Sequence, residues 1–152
     1  MDFMTAVKTC FSKYVTFSGR AQRSEFWWFV LFVFAVSMAL SIVDSVLFGT
    51  TTVTDNGFSS STDTPILSGI FSLAILLPYI SVTVRRLHDI DKSGWWYWLF
   101  LVPLIGFIIL LIWFIRVGTT GSNSYGSDPL GGEDQVDPAT LSTSSIPPVD
   151  RG

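Results

Sequence analysis

Three long apolar runs constrain this chain more than any other feature of its sequence. They cover residues 26–48, 66–84 and 95–115 and are 23, 19 and 21 residues long. A helix rises about 1.5 Å per residue, so the runs extend roughly 34, 28 and 31 Å, close to the bilayer hydrocarbon core of about 30 Å. The sequence therefore predicts an all-α integral membrane protein with three transmembrane helices.

The segments outside the runs are too short to fold alone. They are residues 1–25, 49–65, 85–94 and 116–152. Domains below roughly 40 residues usually need disulfides or metals, and Cys10 is the only cysteine, which excludes an internal disulfide and a cysteine-rich zinc site. We expect residues 49–65 to be a flexible connector without apolar periodicity. We expect the polar C-terminal tail to be mostly disordered after residue 129.

Lysine and arginine near the ends of the runs predict the orientation, because these residues mark the cytoplasmic side. They occur in the N-terminal segment and in the second loop but not in the first loop, namely Lys8, Lys13, Arg20, Arg23, Arg85, Arg86 and Lys92. A multi-pass topology with a cytoplasmic N-terminus, a cytoplasmic 85–94 loop, an external 49–65 loop and an external tail follows. Arg116, just after the third run, disagrees with it.

The N-terminal segment carries an amphipathic pattern ahead of the first run. Apolar side chains recur every three or four residues, at Phe3, Val7, Cys10, Tyr14 and Phe17. This spacing predicts an amphipathic helix. Such a helix either lies in the cytoplasmic headgroup plane or packs on the protein's own spans, and the sequence leaves both alternatives open.

Two short segments combine basic residues with a tryptophan pair, and both fall on the predicted cytoplasmic face. Indole rings sit at headgroup depth and guanidinium groups reach lipid phosphates, so the segments form a candidate belt that binds anionic lipid or a protein partner. The candidate residues are Arg20, Arg23, Glu25, Trp27, Trp28, Arg85, Arg86, His88, Asp89, Lys92, Trp95 and Trp96. The same charges would also be present if they only set the topology.

Three motifs in these regions resemble a known family. F-x-G-R-x-x-R-x-E-F-W precedes the first run, R-R-L-H-D-x-x-x-S-G-W-W leads into the third, and G-T-x-G-x-N-x-Y-G-x-D-P covers residues 118–129. Together they resemble the domain of unknown function 805 family of small bacterial inner-membrane proteins. Ser127 stands where many members carry proline. The resemblance covers about residues 1 to 130 and implies location in the bacterial plasma (inner) membrane, with no established activity.

His88 and Asp89 are the strongest candidates for a catalytic or metal-binding pair. The sequence gives little support to such a site. Neighbours on a helix do not face one another, and no second histidine supports a metal site. We therefore favour a hydrogen-bonded structural histidine at the interface. The sequence predicts no catalytic residue, metal ligand or cofactor, and an enzyme is not the favoured class.

Asp44 is the one acid inside a run. Counting about 20 residues from Phe26 places it near the outer edge of the bilayer, which favours an anchor that reaches headgroup water over a buried partner or an ion role. Pro78, Pro103 and Gly106 are interpreted as kinks in ordinary spans.

The sequence leaves two functions open. The favoured one is a non-enzymatic membrane component that binds lipid or a partner. The alternative is a subunit of a small transport or channel assembly, which would require a homo-oligomer or a membrane-protein partner because three spans enclose little volume. Nothing in the sequence predicts binding to nucleic acid.

Overall fold

The computed structural model of the protein describes residues 1–54, 57–62 and 65–131. In chain order its elements are helix α1 (Phe3–Ser12), helix α2 (Arg23–Phe48), strand β1 (Gly49–Thr54), strand β2 (Gly57–Thr62), helix α3 (Ile66–Asp89), a 3₁₀ helix (Gly94–Leu101) and helix α4 (Ile105–Ile115). The predicted disorder after residue 129 concerns mainly residues 132–152, which lie outside the described residues.

Two helices, α2 and α3, are long and apolar enough to cross a membrane. They form where the first two apolar runs predict them, but α2 begins three residues earlier, at Arg23, and α3 continues past Val84 to Asp89. The predicted loop at 85–94 therefore starts with more than one turn of helix. A basic side chain in the last turn, here Arg86, interacts favourably with the negative end of the helix dipole.

Asp44 joins α2 to α3 at the end of the molecule far from Arg23. Its carboxylate accepts hydrogen bonds from the amides of Leu67 (3.0 Å) and Ser68 (2.9 Å) and from the Ser68 hydroxyl (2.6 Å). The first amides of a helix lack intrahelical acceptors, so Asp44 caps α3 from the neighbouring helix. The side chain is 1% exposed. The favoured prediction of an anchor in headgroup water is wrong, and the alternative of a buried partner is correct.

The connector between α2 and α3 is a two-stranded antiparallel hairpin. Gly49 pairs with Thr62 at its base, and Thr54 pairs with Gly57 at its far end. The predicted flexible connector is therefore wrong for these residues. Threonine and valine are β-branched and favour extended backbone. The absence of apolar periodicity does not reveal this preference.

The third apolar run does not form one transmembrane helix, so this prediction is also wrong. The chain forms the 3₁₀ helix, turns, and returns as α4. The Trp96 and Trp113 rings, near opposite ends of the run, have centroids 5.5 Å apart. The 3₁₀ helix and α4 are each about 16 Å long, roughly half the thickness of the hydrocarbon core. We call residues 94–115 the folded-back run.

Proline and glycine explain why the run folds back. Pro103 has no amide hydrogen and disfavours helical backbone in the preceding residue, and Val102 is extended (φ −91°, ψ 101°). Leu104 follows with φ 62°. At Gly106 a side chain would collide with the Leu99 carbonyl, so only glycine permits this close return. The sequence interpretation treated Pro103 and Gly106 as kinks in a helix that continues.

The folded-back run places the tail beside the second loop. Thr119 donates its amide hydrogen to the Asp89 carbonyl at 2.8 Å, and Arg20 donates to the Gly121 carbonyl at 2.6 Å. Groups in hydrogen-bond contact cannot lie on opposite faces of a bilayer. The predicted separation of an external tail from a cytoplasmic N-terminal segment and second loop is therefore wrong. Arg116, which disagreed with that topology, now lies with the other basic residues.

Helix α1 packs against the long helices. Ala6, Val7 and Cys10 are buried, and the Phe11 ring meets Phe29 edge-on at 5.9 Å. The helix ends at Ser12, so the predicted face does not continue as helix to Tyr14 and Phe17.

The apolar core lies in the half of the molecule where α1, the folded-back run and the two long helices meet. Its buried members include Cys10, Ala21, Phe26, Phe29, Ile75, Val82, Leu87, Leu110 and Phe114. Elsewhere the long helices expose large apolar side chains such as Phe34 and Leu73. This distribution is typical of helices surrounded by lipid.

Candidate functional site

The ends of α3 and the folded-back run meet the segment before α2 at one end of the molecule. At its centre lie five buried charged residues, which we call the polar cluster: Arg20, Glu25, Arg85, Arg86 and Asp89. Six of the twelve predicted site residues, these five and His88, are brought together here.

Arg85 and Glu25 form the first ion pair of the polar cluster. Arg85 Nη1 lies 2.6 Å from Glu25 Oε1, and Arg85 is 0% exposed. The remaining Arg85 nitrogens, Nε and Nη2, are buried without a hydrogen-bond partner among the described residues. Cys10 Sγ lies 3.8 Å from the same Glu25 oxygen. Burial, together with the nearby Glu25 charge, raises the pKa of the Cys10 thiol to about 12.

Asp89 is shared by two arginines. Its Oδ1 lies 3.0 Å from Arg20 Nε, and its Oδ2 accepts from Arg86 Nη1. Both arginines are buried, so each charge is compensated by a partner rather than by water. Buried pairs of this kind are strongly destabilised when one partner is removed.

The same two arginines also bind the backbone after α4. Arg20 donates to the carbonyls of Gly121 and Thr119. Arg86 donates to the Phe114 carbonyl at 3.2 Å and to the Arg116 carbonyl. They therefore hold the returning chain in place, which is why the tail begins at this end of the molecule.

The third sequence motif packs directly on the second. Asn123 Nδ2 donates to the His88 carbonyl at 2.8 Å. The Tyr125 and His88 rings stack at 3.9 Å with an angle of 4° between their planes. Gly118 faces the Asp89 carboxylate so closely that any side chain there would collide with it.

Sequence reasoning missed these tail residues and Cys10 as part of the site. The signal was available, since Gly118, Thr119, Gly121, Asn123 and Tyr125 are all letters of the third motif. In the sequence analysis that motif supports only the resemblance to the family and predicts no site residue.

The other six candidates lie outside the polar cluster. They are Arg23, Trp27, Trp28, Lys92, Trp95 and Trp96. Arg23 is exposed, and Lys92 Nζ lies 5.7 Å from the centroid of the Trp113 ring. The prediction that five basic residues are available to bind lipid or a partner is wrong for three of them. Arg20, Arg85 and Arg86 are buried and paired inside the protein.

Two open clefts flank the polar cluster. The Arg23 groove, of about 430 Å³, is lined by Gln22, Arg23, Ser24, Trp27, Ile115 and Leu130. The His88 cleft, of about 540 Å³, is lined by Phe17, Ile80, Val84, His88, Ser93, Gly94, Trp95, Tyr97 and Trp98. Both volumes lie within the range of roughly 300–1,000 Å³ that is usual for ligand sites. Among the described residues no group of three or more histidine, cysteine or acidic side chains is placed to hold a metal ion.

Comparison with known proteins identifies the family of the chain and agrees with a membrane location. A family model described as "Protein of unknown function (DUF805)" matches residues 14–127. Inner membrane protein YhaI of Escherichia coli K12 is 41% identical over 116 residues, which cover 76% of this chain and 87% of that protein. Inner membrane protein YhaH of the same strain is 38% identical over 116 residues, covering 76% and 88%. No solved structure matches the chain significantly. The chain is an integral inner-membrane protein, and it belongs to the DUF805 family.

Proposed function

We propose that this protein crosses the inner membrane twice, through α2 and α3, and binds an anionic lipid head in the Arg23 groove on the cytoplasmic side. The folded-back run enters the membrane from the same side and returns to it. The function proposed is thus a non-enzymatic one.

The distribution of basic residues supports this orientation. The fold groups Arg20, Arg23, Arg85, Arg86 and Arg116 at one end, while the hairpin connector at 49–65 contains no lysine or arginine. Basic residues near the ends of spans favour the cytoplasmic side. The polar cluster and the start of the tail then face the cytoplasm, and the hairpin faces outward.

The single observation that carries lipid binding is the composition of the Arg23 groove. Arg23 is exposed, and its only hydrogen bond within the described residues is a long one, 3.4 Å, to the Ile115 carbonyl. A guanidinium with most of its donors available can bind a phosphate. Trp27 and Ile115 line the same groove and supply apolar contacts to the upper part of an acyl chain.

Helix α2 adds to the attraction for a negative charge. Its N-cap residue, Gln22, makes no side-chain hydrogen bond to the first turn. The first amides of a helix lack intrahelical acceptors, and together with the positive end of the helix dipole they favour an anion close to Arg23.

The test is native mass spectrometry of the protein released gently from membranes. We expect wild type to retain phosphatidylglycerol or another anionic lipid, and Arg23→Gln to lose most of it. Lys8→Gln, which removes an exposed charge outside the groove, is the matched control. Equal retention by wild type and Arg23→Gln would refute the proposed site. The same spectra report whether the protein is a monomer, a homo-oligomer or part of a complex.

An ion role for Asp44 would have supported the alternative of a transport subunit. The Asp44 carboxylate instead accepts three hydrogen bonds from the start of α3. We therefore propose a structural role for Asp44.

A further inference from the structure

We propose that the His88 cleft is a second lipid site and that it takes the primary ammonium head of a phosphatidylethanolamine-type lipid. The site is separate from the Arg23 groove and does not depend on it, since the two clefts have no lining residue in common.

The shape and polarity of the cleft suit an amphiphilic ligand. Ile80, Val84 and His88 follow one another at intervals of four residues, so they lie along one face of α3 over about 12 Å. His88 and Ser93 supply its polar groups, and the other lining side chains are apolar or aromatic. A lipid from the surrounding leaflet would place its head at His88 and its chain beside Ile80.

His88 offers a hydrogen-bond acceptor to this cleft. The side chain is 8% exposed, and Nδ1 lies 3.2 Å from the Gly19 carbonyl oxygen. A carbonyl can only accept, so Nδ1 carries the proton, and in the neutral ring Nε2 is then an acceptor. No described residue donates a hydrogen bond to Nε2. Nε2 can therefore accept a hydrogen bond from a ligand that enters the cleft.

Glycine at position 94 allows close packing of the chain beside His88. A Cβ atom at Gly94 would lie 3.6 Å from His88 Nε2 and 2.8 Å from a Val84 methyl group. The absent side chain lets the start of the 3₁₀ helix approach α3 closely, so that Gly94, Val84 and His88 line the cleft together. The Tyr125 ring covers one face of the imidazole, so the ring is held in this orientation.

The surroundings favour an ammonium over a phosphate. No lysine or arginine lines the cleft, so a phosphate would find no opposite charge there. Trp95 and Trp98 are 79% and 58% exposed, and the faces of tryptophan rings attract cations. A primary ammonium has three N–H donors, one of which can reach Nε2. A choline head has the same charge but no N–H donor, so it is the informative comparison.

The experiment reconstitutes the full chain in nanodiscs that contain phosphatidylethanolamine, phosphatidylcholine and phosphatidylglycerol with identical acyl chains. Native mass spectrometry then reports which lipid remains bound. We expect wild type to retain phosphatidylethanolamine about tenfold over phosphatidylcholine, the ratio that one hydrogen bond supplies. In His88→Asn the side-chain amide can still donate to Gly19 but Nε2 is lost, and we expect the preference to disappear.

A second variant tests the apolar part of the cleft without touching His88. Ile80→Trp fills the cleft and should abolish retention, whereas Leu73→Trp, at a position of α3 that is 75% exposed and outside the cleft, should not. Arg23→Gln should leave the preference for phosphatidylethanolamine unchanged, which separates this site from the groove proposed above. Equal retention of phosphatidylethanolamine and phosphatidylcholine by wild type would overturn the proposal. So would phosphatidylglycerol retained as strongly as phosphatidylethanolamine by Arg23→Gln, in which the groove no longer binds anionic lipid, or a preference that persists in His88→Asn or Ile80→Trp.

Discussion

The amide nitrogen of Thr119 lies 2.8 Å from the carbonyl oxygen of Asp89, so the chain that leaves the third apolar run is bonded to the end of α3. Hydropathy alone would place these two residues on opposite sides of a membrane. The contact instead requires both residues to lie on the same side, so the chain between them does not cross the membrane once.

Reporter fusions test this topology directly. Green fluorescent protein fused after residue 131 should fluoresce, because it folds in the cytoplasm, and alkaline phosphatase at the same position should be inactive. Alkaline phosphatase inserted in the 49–65 connector should be active, which serves as the positive control. Active phosphatase after residue 131 would contradict the proposed arrangement.

Removal of Glu25 should destabilise the protein strongly. Glu25→Ala leaves Arg85 charged and fully buried without its partner, a change that typically costs about 3–5 kcal/mol. We expect a large fall in the melting temperature of the detergent-solubilised protein. Arg23→Ala, which removes an exposed charge two residues away, should change it little. A melting temperature for Glu25→Ala equal to that of Arg23→Ala would show that the pair is not buried as described.

Gly118→Ala should loosen the tail from α3. A Cβ atom there collides with the Asp89 carboxylate, and overpacking of this kind costs about 1–3 kcal/mol. Gly69→Ala is the matched control because nothing lies within 4 Å of a Cβ at that position. Limited proteolysis should cut the tail faster in Gly118→Ala than in either wild type or Gly69→Ala.

Cys10 should resist alkylation in the folded protein. Its pKa is raised to about 12, so raising the pH from about 7 to about 9 produces little of the reactive thiolate, whereas an ordinary thiol with a pKa of about 8.5 becomes largely ionised. Burial also blocks the reagent. Maleimide labelling should therefore stay low until the protein is denatured. Met4→Cys in a Cys10→Ala background places a thiol at an exposed position of α1 and should label readily.

Asp44→Ala should lower stability by more than a surface substitution does. Loss of a helix cap costs about 0.5–2 kcal/mol, and here three donors lose their acceptor. Asp44→Asn retains one acceptor oxygen and should be intermediate. Ser41→Ala, at an exposed position of the same helix, should melt like wild type. Ion flux through liposomes that depends on Asp44 but not on folding would contradict the structural role.

The sequence was sufficient to predict the two long helices, because the length of their apolar runs alone distinguishes them from loops. It was not sufficient for the third run. A run of 21 apolar residues has the same hydropathy whether it crosses or turns back, and the decision depends on the local geometry of Pro103, Leu104 and Gly106.

The motifs contain residues that the fold brings together, but the contacts of these residues differ from those expected from the sequence. Clusters of arginine near a span usually face lipid or water, so Arg85 and Arg86 were expected to be available. Their burial depends on Glu25 and Asp89, which come from different parts of the chain. Pairing between distant residues of this kind cannot be obtained from composition or from spacing within one helix.

The folded-back run also bears on how the protein enters the membrane. In the proposed orientation both hydrophilic ends stay on the side where the ribosome makes them. Only the 49–65 connector has to pass through the bilayer, and it carries two aspartates but no lysine or arginine. Helices α2 and α3 can then insert together as one helical pair, and the last apolar segment can settle into the near leaflet afterwards without any further polar segment being translocated.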